Sequence, residues 1–271
     1  MHVRWASVAI VGVVALSVAS CSGDARTLRS IDGSRWTVAI VDSGVASSAR
    51  TRVRSVATWA ADDRWLHEPA GSHGTRIAAV AFGVLGDGES PPERAPDLID
   101  VRTSAPTHPP TPDSIAEGIL HAVEAGADLV VVAMSTADDS AALRGAVQLA
   151  ESRNVVVISS LRNELIGSRS YPADFPTVLA VSSIDDSLRR AATSPRDGDL
   201  SDLGVDVPVG PDDGAPRVSG TSIATASAAS AILRCASRAD SGLQILGLAR
   251  ASGVEDDRGT PVLRCPERND R

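Results

Sequence analysis

Four polar residues carry the side-chain types that acyl transfer needs: Asp42 in VAIVDSGV, His73 in GSHGTRIAA, Asn163 in VVVISSLRNE and Ser222 in GTSIATA. Cleaving an unactivated amide takes a nucleophile, a base to accept its proton, a group that orients the base, and donors for the oxyanion. A serine hydroxyl, an imidazole, a carboxylate and a side-chain amide fill those roles in turn. Taken singly each has a plainer use: Asp42 and Asn163 as turn formers, His73 as a helix cap, Ser222 as a packing residue. The order Asp, His, Ser is one in which such triads occur. Gly220 and Thr221 ahead of Ser222, with alanines behind it, fit a nucleophile at the mouth of a closely packed helix.

Such residues meet only if the elements around them bring their ends together. WTVAIVD, residues 36–42, has a β-branched run without polar alternation and reads as a strand covered on both faces. HGTRIAAVAFGV, from His73, has helical spacing, and DLIDVRTS reads as a strand inside a proline-rich stretch from Ser90 to Pro112. Helix SIAEGILHAVEAGA, strand DLVVVAMS, helix SAALRGAVQLAES and strand NVVVISS then alternate over residues 114–160, and strand TVLAVSSID follows at 177–185. This alternation predicts an α/β fold of three layers, a mostly parallel sheet flanked by helices. Ligands in such sheets gather beyond the carboxyl ends of the strands, where this reading puts Asp42, Ser135 and Ser159. The sequence has no internal repeat.

The 271 residues support one sizeable core, expected over residues 36–271. With 43% apolar and only 3% aromatic residues, that core is built from Val, Leu, Ile and Ala. All 26 bases are arginine against 34 acids, a net charge of −8, and no basic stripe occurs, which argues against a nucleic-acid partner. At the N-terminus, Arg4 precedes VAIVGVVALSVA, too short to span a membrane comfortably and the right length for a signal peptide. VASC, residues 18–21, resembles the bacterial lipobox. That resemblance implies a signal peptide over 1–20, a lipid on Cys21 that anchors the chain to a membrane, and a tether over 21–35. An ordinary cleaved signal or an uncleaved anchor is the plainer alternative, and each of the three exports the domain to the cell envelope or beyond. Outside the cell, Cys235 and Cys265 remain as an even pair and are expected to form a disulfide worth about 3 to 4 kcal/mol on the chain-entropy model. Two separate buried thiols are the bland alternative.

Together the motifs resemble those of the subtilisin-like serine proteases, the subtilases. VAIVDSGV is similar to the aspartate motif of that family, SHGTRIAAV to its histidine motif and SGTSIATA to its serine motif. VVVISSLRNE resembles the segment ending in the oxyanion asparagine, and YPADFPTVLAVSSID the stretch after it. The likeness runs with gaps from about residue 36 to about 232. It implies a serine endopeptidase acting on a peptide or protein substrate, with Asp42, His73 and Ser222 as triad and Asn163 as oxyanion donor. It further implies that Ser135, Thr136 and Ala137 hold the substrate backbone as an added strand, that Leu161 and Arg162 line the pocket for the side chain before the cut, and that Gly220 leaves room beside the nucleophile.

The pattern departs from the family in three places. Leu161 and Arg162 precede Asn163 where glycine is usual, so Arg162 is expected to narrow the pocket or to favour an acidic side chain. Ala226 and Ser227 stand where proline and histidine are common, a change of helix packing more than of chemistry. Only a short tether separates Cys21 from the Asp42 strand, too little for the inhibitory pro-domain many secreted relatives carry. A second reading therefore stays open, a subtilase fold that binds a peptide or protein without cutting it. An α/β-hydrolase is disfavoured, since no GxSxG occurs. No cofactor is implied. Calcium, common in the family, has no spaced ligand loop here; the pairs Asp62/Asp63, Asp138/Asp139 and Asp212/Asp213 are read as solvated loops, and His2, His67, His108 and His121 lack metal-ligand spacing. Oligomeric state leaves no mark in the sequence.

Overall fold

In the computed structural model, TVAIVD forms strand β1, Thr37–Asp42, with all six residues buried. The structure describes residues 35–50, 53–66, 72–83, 95–105, 107–163, 169–194, 197–209 and 215–265. The expected signal peptide, Cys21 and all but the last residue of the tether lie outside these residues, as do His67, Asp212 and Asp213.

After β1 come α1 (Ser47–Arg50), β2 (Arg54–Ala60), a 3-10 turn (Asp63–Leu66), α2 (Ser72–Phe82) and β3 (Asp97–Arg102). The alternation continues with α3 (Pro112–Glu124), β4 (Leu129–Val132), α4 (Ala141–Ser152), β5 (Val156–Ser160) and β6 (Leu179–Ile184). Then follow β7 (Leu200–Leu203), the short β8 (Val207–Pro208) and β9 (Arg217–Val218), α5 (Thr221–Cys235) and α6 (Gly242–Ala251). Seven strands form one sheet in the order β2-β3-β1-β4-β5-β6-β7, and every pairing in it is parallel.

Side chains alternate across a strand, and here the alternation sorts the core into two sides. Val38, Ile40, Leu98, Val131, Ile158 and Val181 pack with α2, α5 and α6. Ala39, Val41, Ile99, Val130, Val132 and Val157 pack with α3 and α4. Each fully buried Val, Leu or Ile contributes about 1.5 to 3 kcal/mol relative to exposure. The expected three-layer α/β architecture is what the sheet and its two helical layers make.

Several elements escape the sequence pattern. β2, RSVATWA, lies at one edge of the sheet and is only partly buried, and β7, LSDL, is short and polar. Ser135 lies three residues beyond β4, but Ser159 is inside β5, fully buried, with the parity of Val157 and so on the α3/α4 side. It stands one residue before the end of β5, near the strand end where the sequence reading put it, with its side chain buried on the α3/α4 side.

Helix α5 begins beyond the carboxyl ends of the strands and ends near their amino ends. There Asp128 accepts from Thr37 N at 2.7 Å and from the Arg238 guanidinium at 2.8 and 2.9 Å. Cys235 closes the helix and is bonded to Cys265, Sγ to Sγ at 2.06 Å, across a separation of 30 residues that encloses α6. Buried Arg190 pairs with buried Asp256, tying the C-terminal loop to the β6–β7 edge. Closing a 30-residue loop restricts the unfolded chain. The double variant Cys235→Ser/Cys265→Ser is expected to lose about 3 to 4 kcal/mol, read from its urea midpoint; an unchanged midpoint contradicts this.

Candidate active site

At the end of β1 the Asp42 carboxylate is fully buried, and a buried charge persists only where donors surround it. Ser43 supplies two, its N–H at 2.7 Å and its hydroxyl at 3.0 Å from Oδ1. His73 supplies the third, its Nδ1 standing 2.9 Å from Oδ1 and 2.8 Å from Oδ2. Because a carboxylate only accepts, Nδ1 carries the proton and Nε2 is left as an acceptor in the neutral ring. Nε2 lies 3.1 Å from Ser222 Oγ.

The helix that carries His73 is docked by its own motif. Gly74 N donates to Ser43 Oγ at 3.2 Å, and Thr75 Oγ1 accepts from Ala46 N at 2.9 Å. A Cβ on Gly74 would stand 2.6 Å from Gly44 O and 3.1 Å from Asp42 Oδ1, so only glycine lets the histidine turn approach the carboxylate. Gly74 and Thr75 thus dock the helix start that presents the imidazole.

Two more buried charges support the Asp42 loop, and the sequence reading gave them no role. Asp100 and Arg102 lie at i and i+2 on β3, on the same side of the sheet as Leu98 and in register with Ile40 and Asp42. Asp100 Oδ1 accepts from Val45 N at 2.9 Å. Arg102 Nε is 3.7 Å from Asp100 Oδ2, and Nη1 donates to Trp65 O at 2.6 Å. The available clue was charge set among Leu, Ile and Val: DLIDVR carries Asp97, Asp100 and Arg102.

Asn163, past the end of β5, bonds to the start of α5. Its Oδ1 accepts from Thr221 N at 3.0 Å and stands 2.9 Å from Thr221 Oγ1, which also bonds Leu161 O. With Oδ1 so held, Nδ2 is turned the other way. Around Gly220, a Cβ would have Ser222 Oγ at 3.5 Å, Asn163 Nδ2 at 3.8 Å and Ser222 N at 4.0 Å. Gly220 has φ +150°, and its missing side chain leaves open the one space that a hydroxyl and two N–H groups share. Among the described residues neither Ser222 N nor Asn163 Nδ2 has an acceptor.

The remaining candidates are distributed as follows. Thr136 is buried and bridges to Tyr171, while Ser135 is half-buried and Ala137 exposed. Leu161 is 2% exposed and packs with Ala173 and Ala180, so it offers the site its carbonyl rather than its side chain. Arg162 is half-buried, and its N–H donates to Ser170 Oγ at 3.0 Å. Among the described residues no group of three or more metal-ligating side chains occurs.

Burial of the His73 imidazole acts to lower its pKa; the hydrogen bond to Asp42 and the charge of Asp42 act against this and prevail over it and over Arg76. The result is raised above the ordinary 6.5.

The chain is 29% identical over 172 residues to Subtilisin Savinase of Lederbergia lenta, a match covering 61% of this chain and 62% of that protein. It is 30% identical over 179 residues to Subtilisin E of Bacillus subtilis (strain 168), covering 62% and 46%. The match therefore spans less than two thirds of these relatives' own length. Among solved structures, the Prenylagaramide maturation protease PagA superposes with a TM-score of 0.64 at 22% identity, covering 84% of this chain and 90% of its own. A cold adapted subtilisin-like serine proteinase gives 0.65 at 23%, covering 85% and 88%; at these identities the two show the fold. The sequence profile of the subtilase family matches residues 33–247, most of the chain, and the protein belongs to that family.

Proposed function

We propose that the protein is an exported serine endopeptidase, held at a membrane by a lipid on Cys21, that hydrolyses peptide bonds in peptide or protein substrates. The observation that carries this reading is the convergence of Ser222 Oγ, Ser222 N and Asn163 Nδ2 on one open space, with His73 bridging the hydroxyl to Asp42. Family membership supports the same chemistry. The lipid anchor rests on VASC alone, and Cys21 lies outside the described residues.

In the proposed reaction Ser222 Oγ attacks the scissile carbonyl as its proton passes to His73 Nε2. Asp42 stays ionised, fixes the tautomer and favours the imidazolium. The oxyanion is received by Ser222 N–H and Asn163 Nδ2, donors already in position before charge develops. His73 then protonates the leaving amine, and an ester of the acyl group with Ser222 remains. Water, losing its proton to His73, attacks this ester and frees the carboxylate product and the hydroxyl. In this reading Leu161 and Arg162 pass along the pocket for the residue before the cut.

An active-site-directed fluorophosphonate should label the protein and fail to label Ser222→Ala, whose kcat falls on the order of 10⁶-fold. No labelling of the folded parent protein would favour the reading in which the fold binds without cutting. Asn163→Ala is expected to lower kcat about 10²- to 10³-fold with little change in KM, because it removes a contact made to the transition state; a rise in KM at constant kcat contradicts the assignment.

The pH dependence follows from His73. Only the neutral imidazole accepts the serine proton, so kcat/KM falls as pH drops through a midpoint above 6.5. In Asp42→Asn the charge that raises the imidazole is gone while burial and Arg76 remain, so the midpoint moves down from its parent position and kcat drops about 10⁴-fold. For stability the sign is opposite: the Asp42–His73 pair stabilises the fold fully below pH 6.5 and loses that contribution as pH rises through the raised value. An acid limb that stays put in Asp42→Asn counts against the assignment.

A further inference from the structure

The loop that leaves β1, residues 42–46, is held at every residue, and its contacts come from two places. Near the triad, Ser43 N and Oγ bond Asp42, and Thr75 Oγ1 accepts from Ala46 N at 2.9 Å. The rest come from the end of β3. Thr103 N donates to Asp42 O at 2.9 Å, and Asp100 Oδ1 accepts from Val45 N at 2.9 Å. The stem of Arg102 lies against Gly44, where a Cβ would stand 2.4 Å from Nε, 2.7 Å from Cδ and 2.8 Å from Cγ.

Gly44 also touches the start of α2. Its carbonyl oxygen is the atom that a Cβ on Gly74 would meet at 2.6 Å, and Gly74 follows His73 in that helix. A shift of Gly44 is therefore passed to the turn that carries the imidazole.

Asp100 is fully buried and Arg102 is 3% exposed, on the side of the sheet where α2 packs. Taking two charges out of water costs more than filling the same space with hydrocarbon. What hydrocarbon cannot give is an acceptor for Val45 N, and an N–H buried without one is costly. The charges that act on the His73 ring are those of Asp42 and Arg76. The Asp100/Arg102 pair thus bears on the ring through the shape of the loop.

We propose that Asp100 and Arg102 are positioning residues for His73. The Asp100 carboxylate fixes Val45 N, the Arg102 stem backs Gly44, and together they set where α2 presents Nε2 to Ser222. The inference rests on the peptidase reading above.

Three double variants separate these two contacts from the charges. Asp100→Asn/Arg102→Met keeps an acceptor for Val45 N and a stem over Gly44. Asp100→Leu/Arg102→Met loses the acceptor, and Asp100→Asn/Arg102→Ala loses the stem. All three lack both charges and the bond from Arg102 to Trp65 O, and none leaves one charge of the pair buried alone. The first is expected to cleave a peptide with kcat within about threefold of the parent. The other two should lose about 10- to 100-fold in kcat with KM within about twofold, since misplacing a reacting group by about 1 Å costs up to about 10²-fold. Their acid limb should also move down, because a loosened Asp42 contact raises the imidazole less.

A pair that served stability alone would lower the urea midpoint and leave kcat per folded molecule and the acid limb unchanged. Parent kcat in folded Leu/Met or Asn/Ala protein overturns the inference, as does a folded Asn/Met variant that falls as far as the other two. If those two do not fold, the Asn/Met variant decides alone: kcat near the parent supports the inference and a tenfold loss overturns it. A folded parent that cleaves no peptide overturns the peptidase reading, and this assignment with it.

Discussion

A fully buried carboxylate at the end of a central strand is the constraint from which the rest of the site follows. Left alone, the Asp42 charge would be expelled or neutralised. It is kept by Ser43 N–H, Ser43 Oγ and His73 Nδ1. The third donor comes from a helix 31 residues away in sequence, so the fold must press the start of α2 onto the β1 loop. Gly74 permits that approach, and Thr75 and Asp100 bond the next backbone N–H groups along the loop. The imidazole, held from below, has only Nε2 left to offer.

The serine reaches Nε2 through a different set of contacts. Helix α5 is lined by alanines and small hydroxyl residues, which let it lie close to β4 through β7 and to α2. Ala226, where the family commonly has proline, is completely buried in this helix, and Ser227 is half-buried beyond it. Both stand past Ser222, on the packed length of the helix rather than at its start. Gly220 N bonds Gly204 O at 2.8 Å, and Thr221 N bonds Asn163, so the first residues of the helix are fixed by two neighbouring loops. At the far end Cys235 is fixed covalently.

What could be read from the chain without coordinates divides along physical lines. β1, β4 and β5 were legible because strands covered on both faces must be apolar throughout. The edge strand β2 was not, since partial exposure mixes Arg54, Thr58 and Ala57 into the run and removes the contrast. α6 was missed although Ser241 and Gln244 form a capping box at its start, a local signal weaker than the polar turn before it. The four site residues could be named from motifs, but not the hydrogen bond that turns the Asn163 amide, nor Asp100 and Arg102. Those depend on pairings between strands, and register across a parallel sheet leaves no trace in either strand's own sequence.

The caps on the helices set α5 apart from the others. α3, α4 and α6 each begin with a hydroxyl residue, Thr111, Ser140 and Ser241, whose oxygen accepts from the N–H three residues on. Such a cap is worth about 1 kcal/mol. α5 has none: its N-cap is Gly220, and no side chain of the N-cap residue closes over the first turn. A serine or threonine at 220 would fill the space between Ser222 Oγ and Asn163 Nδ2. It would also bring an acceptor to the N–H groups that, in the proposed reaction, receive a substrate oxygen. The missing cap and the unoccupied donors are therefore one feature, and the helix can do without the cap because Gly204 and Asn163 hold its start from outside.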